Sequence, residues 1–355
     1  MDNLISHPKI KELIIDPKST LIDGIKQMDN IRRKLLIAMK GNVFVGLLSI
    51  GDIQRAIIKN YSLSTLVSDI IRNDYIIANT DTSVEEIKKT MQLIRAEFMP
   101  VFSKKGELVN VYFWEDLFGE KVISPAKLFN LPVVIMAGGL GTRLKPLTNV
   151  LPKALIPLNE KTMIEEIMES FNKQGCKEFY ISVNYKAELI EYYLRNQRIP
   201  YNFNFIKEEK PLGTAGSLYL LKEKIFNTFF VINCDIIINQ DYYEILDFHK
   251  ENNNDLTIVA ALKHINIPYG TVETGDHGQL LDLKEKPEIT FKINSGLYVM
   301  EPYIIDKIPV NQFYHITSLI DKLKKEGGRI GVFPVSEGSW KDIGEWSEYI
   351  KERFH

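Results

Sequence analysis

An apolar run, Val133, Val134, Ile135 and Met136, is followed at once by Gly138, Gly139 and Gly141, then by Arg143 and, ten residues on, Lys153. The run reads as a buried parallel strand. Glycines after it let the backbone turn sharply and approach a ligand, because they have no Cβ to clash. Arg143 offers a planar, permanently charged fork suited to phosphate oxygens, and Lys153 a compact ammonium. Together they are equipment for gripping a nucleoside triphosphate. The loop is not a P-loop, which ends in Gly-Lys-Ser/Thr, nor a G-x-G-x-x-G dinucleotide turn, since G-G-x-G-T-R is followed by Pro152 and Lys153.

Three later segments hold further candidates. The stretch 228–235, TFFVINCD, is an apolar strand ending in Asp235, and an acid there is expensive to bury unless it binds something; a turn or helix-capping aspartate is the alternative. Gly213, Thr214 and Gly216 in 209–217, EKPLGTAGS, form either a plain strand-to-helix turn or a ligand loop. Glu285 and Lys286 lie in KEKP at 284–287, a charged run of the kind that is usually a solvated loop.

The run 137–148 with Pro152 and Lys153 resembles the opening signature of the sugar-nucleotide pyrophosphorylases, A-G-G-x-G-T-R-L-x-P-L-T followed by P-K. These nucleotidyltransferases join a sugar 1-phosphate to an NTP and release pyrophosphate. The resemblance implies that Ala137, Gly138, Gly139, Gly141, Thr142, Arg143 and Lys153 bind the nucleotide, with Gly213 and Thr214 closing on it. It implies that Asp235 holds magnesium together with Asp342, since Trp340, Asp342, Ile343 and Gly344 reproduce the family's W-x-D-I-G segment. Two carboxylates with phosphate oxygens and water make a hard oxygen site that suits Mg²⁺. It further implies that Lys286 holds the sugar phosphate, and that Gly216, Glu285, Asn294 and Gly296 line the sugar pocket. The G-T-A-G form is similar to guanylyltransferases for mannose and heptose phosphates. Thymidylyl and uridylyl relatives tend to carry a glutamine for the pyrimidine edge. None occurs in 209–217, so GTP is the first choice of nucleotide and a uridylyl or thymidylyl donor the runner-up.

At 355 residues the chain exceeds the size at which one hydrophobic core is usual, and two domains follow as the prior. A hydrophobic content of 45% with 25% charged residues is that of a globular protein. With a net charge of -2 and a pI near 6.4, no global field favours nucleic acid. No stretch approaches the roughly 20 apolar residues that span a bilayer, and the start lacks a signal-peptide core, so a cytoplasmic protein is expected. Two cysteines are too few for a disulfide framework or a zinc site.

From 132 onward apolar strands alternate with helical segments, the pattern of a Rossmann-like α/β sheet whose ligands lie at the carboxyl ends of its strands. The family resemblance implies the same architecture, a GT-A type mixed sheet, over 132–355; 121–131, which contains Pro125 and separates two regions of different pattern, reads as a linker, and a homo-oligomer is the expected assembly. Before the linker a unit of about 55 to 60 residues repeats, with copies at about 8–60 and 66–120. Each reads as strand, turn, amphipathic helix, hairpin and second helix. This resembles a CBS-domain pair over 1–120, a module that binds adenine nucleotides through a Ser/Thr-x-x-Asp at the last helix. Ser49 and Asp52 fit that motif or are plain helix caps; in the second copy Phe113 takes the hydroxyl position beside Asp116.

The pairing of such modules looks like the bacterial enzymes that make GDP-glucosamine for legionaminic-type acids on surface glycans. Glucosamine 1-phosphate is accordingly the first sugar and mannose 1-phosphate the second. A nucleotide-sensing regulator without catalysis is the alternative of a different class. A glycosyltransferase using a finished NDP-sugar is disfavoured by the lack of a D-x-D motif at NCDI.

Overall fold

The structure, a computed structural model, describes residues 8–72, 74–119, 127–197 and 199–354. The chain divides into two compact units meeting between Ile123 and Ser124. Of the expected linker 121–131, residues 121–126 lie outside the described residues. The remainder is not a free linker. The Phe129 amide donates to Gln174 O at 2.9 Å, and Phe129 and Leu131 pack on the core of the second unit, because both are apolar and precede a central strand.

The first unit holds two copies of one arrangement. Ile14–Ile15 runs parallel to Leu35–Lys40, which is antiparallel to Val43–Ser49; Ala78–Asn79, Phe98–Phe102 and Leu108–Phe113 repeat this. Helices Leu21–Ile31 and Ile50–Ile58 accompany the first sheet, Val84–Ile94 and Trp114–Phe118 the second. Capping boxes at Thr20 with Asp23, Ser49 with Asp52 and Ser83 with Glu86 start three of these helices, each satisfying otherwise orphaned amides. The equivalent helices begin at Leu21 and Val84, 63 residues apart. That spacing is longer than the unit read from sequence, because the connection after the second helix packs back onto the first copy: Leu21 N donates to Thr65 O and Val67 N to Ser19 O. Ile37 and Met39 of the first copy share a core with Phe98, Phe102 and Phe113 of the second.

The second unit is built on a seven-stranded mixed sheet. Its strands are β1 (Val133–Met136), β2 (Glu178–Val183), β3 (Asn202–Lys207), β4 (Phe229–Asn233), β5 (Leu256–Asn266), β6 (Glu288–Met300) and β7 (Ile330–Val335), in the order β3-β2-β1-β4-β6-β5-β7. β1 to β4 are parallel, β6 runs antiparallel to β4 and β5, and β7 is parallel to β5. Side chains alternate between two cores: Val133, Ile135, Phe230 and Ile232 on one face, Val134, Phe229 and Val231 on the other. Burial on both faces is why these strands are continuously apolar.

Several elements went unread. β7 and the exposed hairpin Thr271–Thr274 with Leu280–Lys284 give little burial alternation in sequence. The helix expected after the G-T-A-G segment is only a short turn, Gly213–Gly216, and a 3₁₀ turn, Ser217–Leu221. No helix among the described residues is long and apolar enough to cross a membrane.

Candidate active site

The glycine loop leaves the carboxyl end of β1. Gly141 has φ +62, and a Cβ there would meet Thr148 Cγ2 at 2.7 Å and Lys153 Cβ at 3.1 Å; only glycine fits both the conformation and the space. Gly139 faces open space. In the 3₁₀ turn Thr142–Leu144, Leu144 turns inward and joins Ile156, Met163, Ile343 and Tyr349 in a small core. Burying each such aliphatic side chain is worth about 1.5–3 kcal/mol. That cluster fixes the neighbouring residues outward: Arg143 beside Leu144, and Asp342 beside Ile343.

A second tie comes from backbone pairing. Ile236–Ile238 runs antiparallel to Trp340–Asp342, with Ile236 opposite Asp342, and Ile343 N donates to Asp235 O at 2.9 Å. Residues 108 positions apart in the chain are thereby set side by side just beyond the end of β4. Trp340 Nε1 anchors the segment on Ser295 O at 3.1 Å.

Four expected site residues converge there. Lys153 Nζ pairs with Asp235 Oδ2. The Arg143 guanidinium lies 3.5 Å from both Asp235 Oδ2 and Asp342 Oδ2, and 2.6 Å from Glu345 Oε1. Asp235 and Lys153 side chains are nearly buried, at 7% and 12% exposure, while Arg143 is half exposed at 51%. A Cβ on Gly344 would collide with Asp235 Oδ2 and lie 2.5 Å from Lys153 Nζ and 2.8 Å from Asp342 Oδ1. Glycine therefore keeps clear a hollow onto which both carboxylates open.

Burial, and then the charge of Asp235, push the Asp342 carboxyl above the ordinary carboxylate range. The contact with Glu345, aided by Asp342 and Asp235, raises the Arg143 guanidinium further. Two carboxylates opening on one cleared hollow, the ionisation of Asp342 disfavoured by burial and by its neighbour, fit a hard divalent cation. No third His, Cys, Asp or Glu joins them into a metal-binding group among the described residues, so further ligands would be phosphate oxygens and water. Cys234, next in chain, is fully buried and its thiol is pushed up to about 12; it is inert packing.

Glu208, unread in the sequence, stands at the opposite side of the glycine loop. It follows β3 as Asp235 follows β4, but β3 alternates polar and apolar residues, NFNFIK, so no continuous apolar run marks the acid at its end. A Cβ on Gly138 would lie 2.6 Å from Glu208 Oε1. Ser182 Oγ donates to Oε1 at 2.6 Å and Leu212 N to Oε2 at 2.9 Å. Glu345 and its hold on Arg143 were likewise missed, since an exposed glutamate after W-x-D-I-G carries no pattern.

Other expected residues are placed differently. Gly213, at φ +78, and Gly216 press on Tyr314 O and Gln312 O, where a Cβ would come within 2.7 and 2.6 Å, and Thr214 Oγ1 accepts the Ile316 amide at 3.0 Å. This loop is clamped to 312–316. Glu285 and Lys286 are exposed in the turn before β6, with Glu285 against Gly270; no ion pair links them to the aspartate cluster. Gly296, φ +86, sits at a bulge in β6, where a Cβ would meet Asn233 Nδ2 at 2.7 Å, and Asn294 Oδ1 accepts its amide at 3.1 Å. In the first unit Ser49 donates to Asp52 Oδ2 at 2.6 Å, and Asp52 Oδ1 meets Arg55 at 2.5 Å and Arg72 at 2.7 Å. Burial opposes its ionisation, but the bonds from Ser49 and Arg55 outweigh that and hold the Asp52 carboxyl low.

Residues 132–354 match the family described as Nucleotidyl transferase. A mannose-1-phosphate guanyltransferase of Yarrowia lipolytica is 33% identical over 61% of this chain and 61% of its own length. A probable mannose-1-phosphate guanylyltransferase 1 of Oryza sativa subsp. japonica is 30% identical over 62% of this chain and 63% of its own. The chain thus spans little more than three fifths of the curated relatives it matches. The crystal structure of HddC from Yersinia pseudotuberculosis aligns with a TM-score of 0.49 at 30% identity, covering 62% of this chain and 97% of that one.

Proposed function

The chain belongs to the nucleotidyl transferase family, and from that premise we propose that its second unit joins a nucleoside triphosphate, GTP first, to a sugar 1-phosphate, giving an NDP-sugar and pyrophosphate. The observation that carries this is the convergence of Arg143, Lys153, Asp235 and Asp342 around the hollow kept by Gly344. A triphosphate needs cations at its leaving end and carboxylates for its metal, and this cluster supplies both beside an open glycine loop.

A phosphate oxygen of the sugar 1-phosphate attacks the α-phosphorus; the new P–O bond forms as the bond to the β-phosphate oxygen breaks, and pyrophosphate leaves. The attacking phosphate is already anionic near neutral pH, so positioning and charge neutralisation supply the rate rather than a general base. Arg143 and the amides at Gly138, Gly139 and Gly141 take the β and γ phosphates. Lys153 exchanges Asp235 for the α-phosphate. Lys286 holds the phosphate of the sugar 1-phosphate and Glu285 its sugar hydroxyls, which requires their exposed turn to close on the cluster. Asp235 and Asp342 would hold Mg²⁺, which when bound neutralises the phosphate oxygens.

GTP is supported by the guanylyltransferase names of the relatives and by the G-T-A-G form. Glucosamine 1-phosphate is the first sugar, on the pairing with the first unit; the relatives' names support mannose 1-phosphate as the second. The two strand-helix copies of the first unit support its reading as a CBS-domain pair with one adenine-nucleotide site at Ser49 and Asp52, where half-exposed Arg55 and Arg72 suit phosphate. NTPs and sugar phosphates are cytosolic metabolites, which supports a cytoplasmic location. Pyrophosphate release from a panel of NTPs and sugar 1-phosphates tests the reaction. Thermal shift with AMP, ATP and GTP tests the first unit.

A further inference from the structure

The carboxylate nearest to the Arg143 guanidinium is neither of the two that open on the hollow. Arg143 Nη1 lies 2.6 Å from Glu345 Oε1 and 3.5 Å from Asp342 Oδ2, and Nη2 lies 3.5 Å from Asp235 Oδ2. Asp235 already has Lys153, so Glu345 is the carboxylate that takes the guanidinium. The backbone is fixed on both sides of this pair. Leu144, next to Arg143, shares one core with Ile343 and Tyr349, which flank Glu345 in the chain. The Tyr349 amide donates to Glu345 O at 2.9 Å, the Trp346 indole to Lys145 O at 2.7 Å and the Tyr349 hydroxyl to Pro157 O at 3.2 Å. Only the two side chains are left to move, and they are 51% and 49% exposed. An exposed ion pair adds little to stability, and these clamps hold the segment without it. A guanidinium fork takes carboxylate and phosphate oxygens by the same geometry.

We propose that Glu345 is a positioning residue of the transfer reaction: it stands in for a phosphate on Arg143 in the free protein and takes Arg143 back from the leaving pyrophosphate. The inference rests on the reading of the second unit as a transferase in which Arg143 takes the β and γ phosphates. To make that contact the guanidinium must leave Glu345, so an entering triphosphate displaces a carboxylate. The same carboxylate is still within a side chain's swing once the bond to the β-phosphate oxygen has broken. One ion pair is exchanged for another, and no proton moves. The exchange weakens the hold on GTP and on pyrophosphate alike and shortens the stay of the product, whose release limits turnover in many enzymes. A glutamine at 345 keeps the length and the carbonyl acceptor but has no charge to set against phosphate, and charge-assisted hydrogen bonds are about twice as strong as neutral ones.

The test is calorimetric titration of pyrophosphate with Mg²⁺ into the full chain, Glu345→Gln, Arg143→Ala and the double variant, alongside KM for GTP and kcat in sugar-dependent turnover. E345Q binds pyrophosphate about threefold tighter than the parent, the scale of an exposed ion pair. Its KM for GTP falls by a similar factor, and its kcat does not rise. In the Arg143→Ala background the same substitution leaves pyrophosphate affinity unchanged, because no guanidinium is there to be reclaimed. Glu345→Asp, which keeps the charge and withdraws it from the fork, decides the same point if Arg143→Ala binds too weakly to measure: it shifts towards E345Q. Equal or weaker pyrophosphate binding by E345Q overturns the proposal, since weaker binding is what a purely structural glutamate gives. A gain that persists without Arg143, or a Glu345→Asp that matches the parent, overturns it as well and leaves only repulsion between Glu345 and the anion. Absence of turnover with every sugar phosphate would instead remove the reaction proposed above while leaving the pyrophosphate affinities to judge Glu345.

Discussion

Lys153 Nζ stands directly on Asp235 Oδ2, at the carboxyl end of the central sheet, with both side chains almost out of solvent. The lysine belongs to the glycine-loop segment and the aspartate to the next parallel strand, so the pair staples together two elements adjacent in the sheet. Each is also the residue that a triphosphate and its metal would claim. In the free protein they satisfy one another; under the proposed function, substrate binding would part them.

Breaking this pair from the lysine side leaves a buried carboxylate near a half-exposed arginine. Lys153→Met should lower stability by roughly 3 kcal/mol, the scale for removing one partner of a buried pair. Thermal melts should show the loss, and added Mg²⁺ should restore more of it in the variant than in the parent. Equal melting points with and without the substitution would mean that the pair carries no structural load.

Asp342 should behave in the opposite sense. Burial and Asp235 raise its folded-state carboxyl above the unfolded value, so its ionised form penalises the folded state, and stability is lost as pH rises through the folded-state value. Asp342→Asn should therefore melt a degree or more higher than the parent at pH 7 without metal, the difference shrinking as the pH is lowered towards 4. The same variant should lose turnover by two orders of magnitude or more. A variant that melts lower at neutral pH contradicts this.

Gly344→Ala tests the cleared hollow. The neighbours are ends of side chains, so they can move and the protein should fold with a melting point within a few degrees of the parent. Its methyl group occupies the place onto which both aspartates open, and turnover should fall at least about tenfold with a raised Mg²⁺ requirement, given the sensitivity of such sites to small misplacements. Unchanged Mg²⁺ dependence would remove the hollow from the account.

His249 gives a pH dependence remote from the site. It is 1% exposed, with Nδ1 2.8 Å from Thr257 Oγ1 and Nε2 3.1 Å from Glu301 Oε1. Burial depresses its protonation, against the pull of Glu301. A base whose folded-state value is depressed favours the neutral form, so its contribution is present above the unfolded value of about 6.5 and lost as pH falls below it. Between pH 7.5 and 5.5 the parent should lose more melting temperature than His249→Gln does.

How much of this was legible in the sequence differs by element. Val133 to Met136 and Phe229 to Ile232 were readable because both faces of each strand are buried, which makes every residue apolar. Arg143 and Lys153 stood out beside the glycine loop, whereas Asp235 and Asp342 were singled out as a pair only through the resemblance of their segments to the family's motifs. What brings Asp342 to Asp235 was not readable: it depends on Leu144 and Ile343 sharing a core and on a two-strand pairing of residues far apart in the chain. Glu208 was hidden because β3 alternates polar and apolar residues and its place against the glycine loop depends on the missing Cβ of Gly138, visible only in three dimensions. The hairpin at 271–284 was missed because its apolar residues, Val272, Leu280, Leu281 and Leu283, are exposed and follow no burial period.

Asp235→Asn or Arg143→Ala should lower turnover by two or more orders of magnitude while circular dichroism stays that of the parent. Asparagine cannot balance the metal's charge as a carboxylate does, and alanine removes the fork from the leaving phosphates. Activity retained in either variant would place the chemistry elsewhere.

The most direct measurement of the central claim is release of pyrophosphate by the full chain from GTP, with Mg²⁺, against glucosamine 1-phosphate, mannose 1-phosphate and a panel of other sugar 1-phosphates. The account predicts release that requires both a sugar 1-phosphate and GTP, is at least about tenfold slower with UTP, and is abolished by Asp235→Asn. No sugar-dependent pyrophosphate from any triphosphate, with nucleotide binding intact, would contradict it.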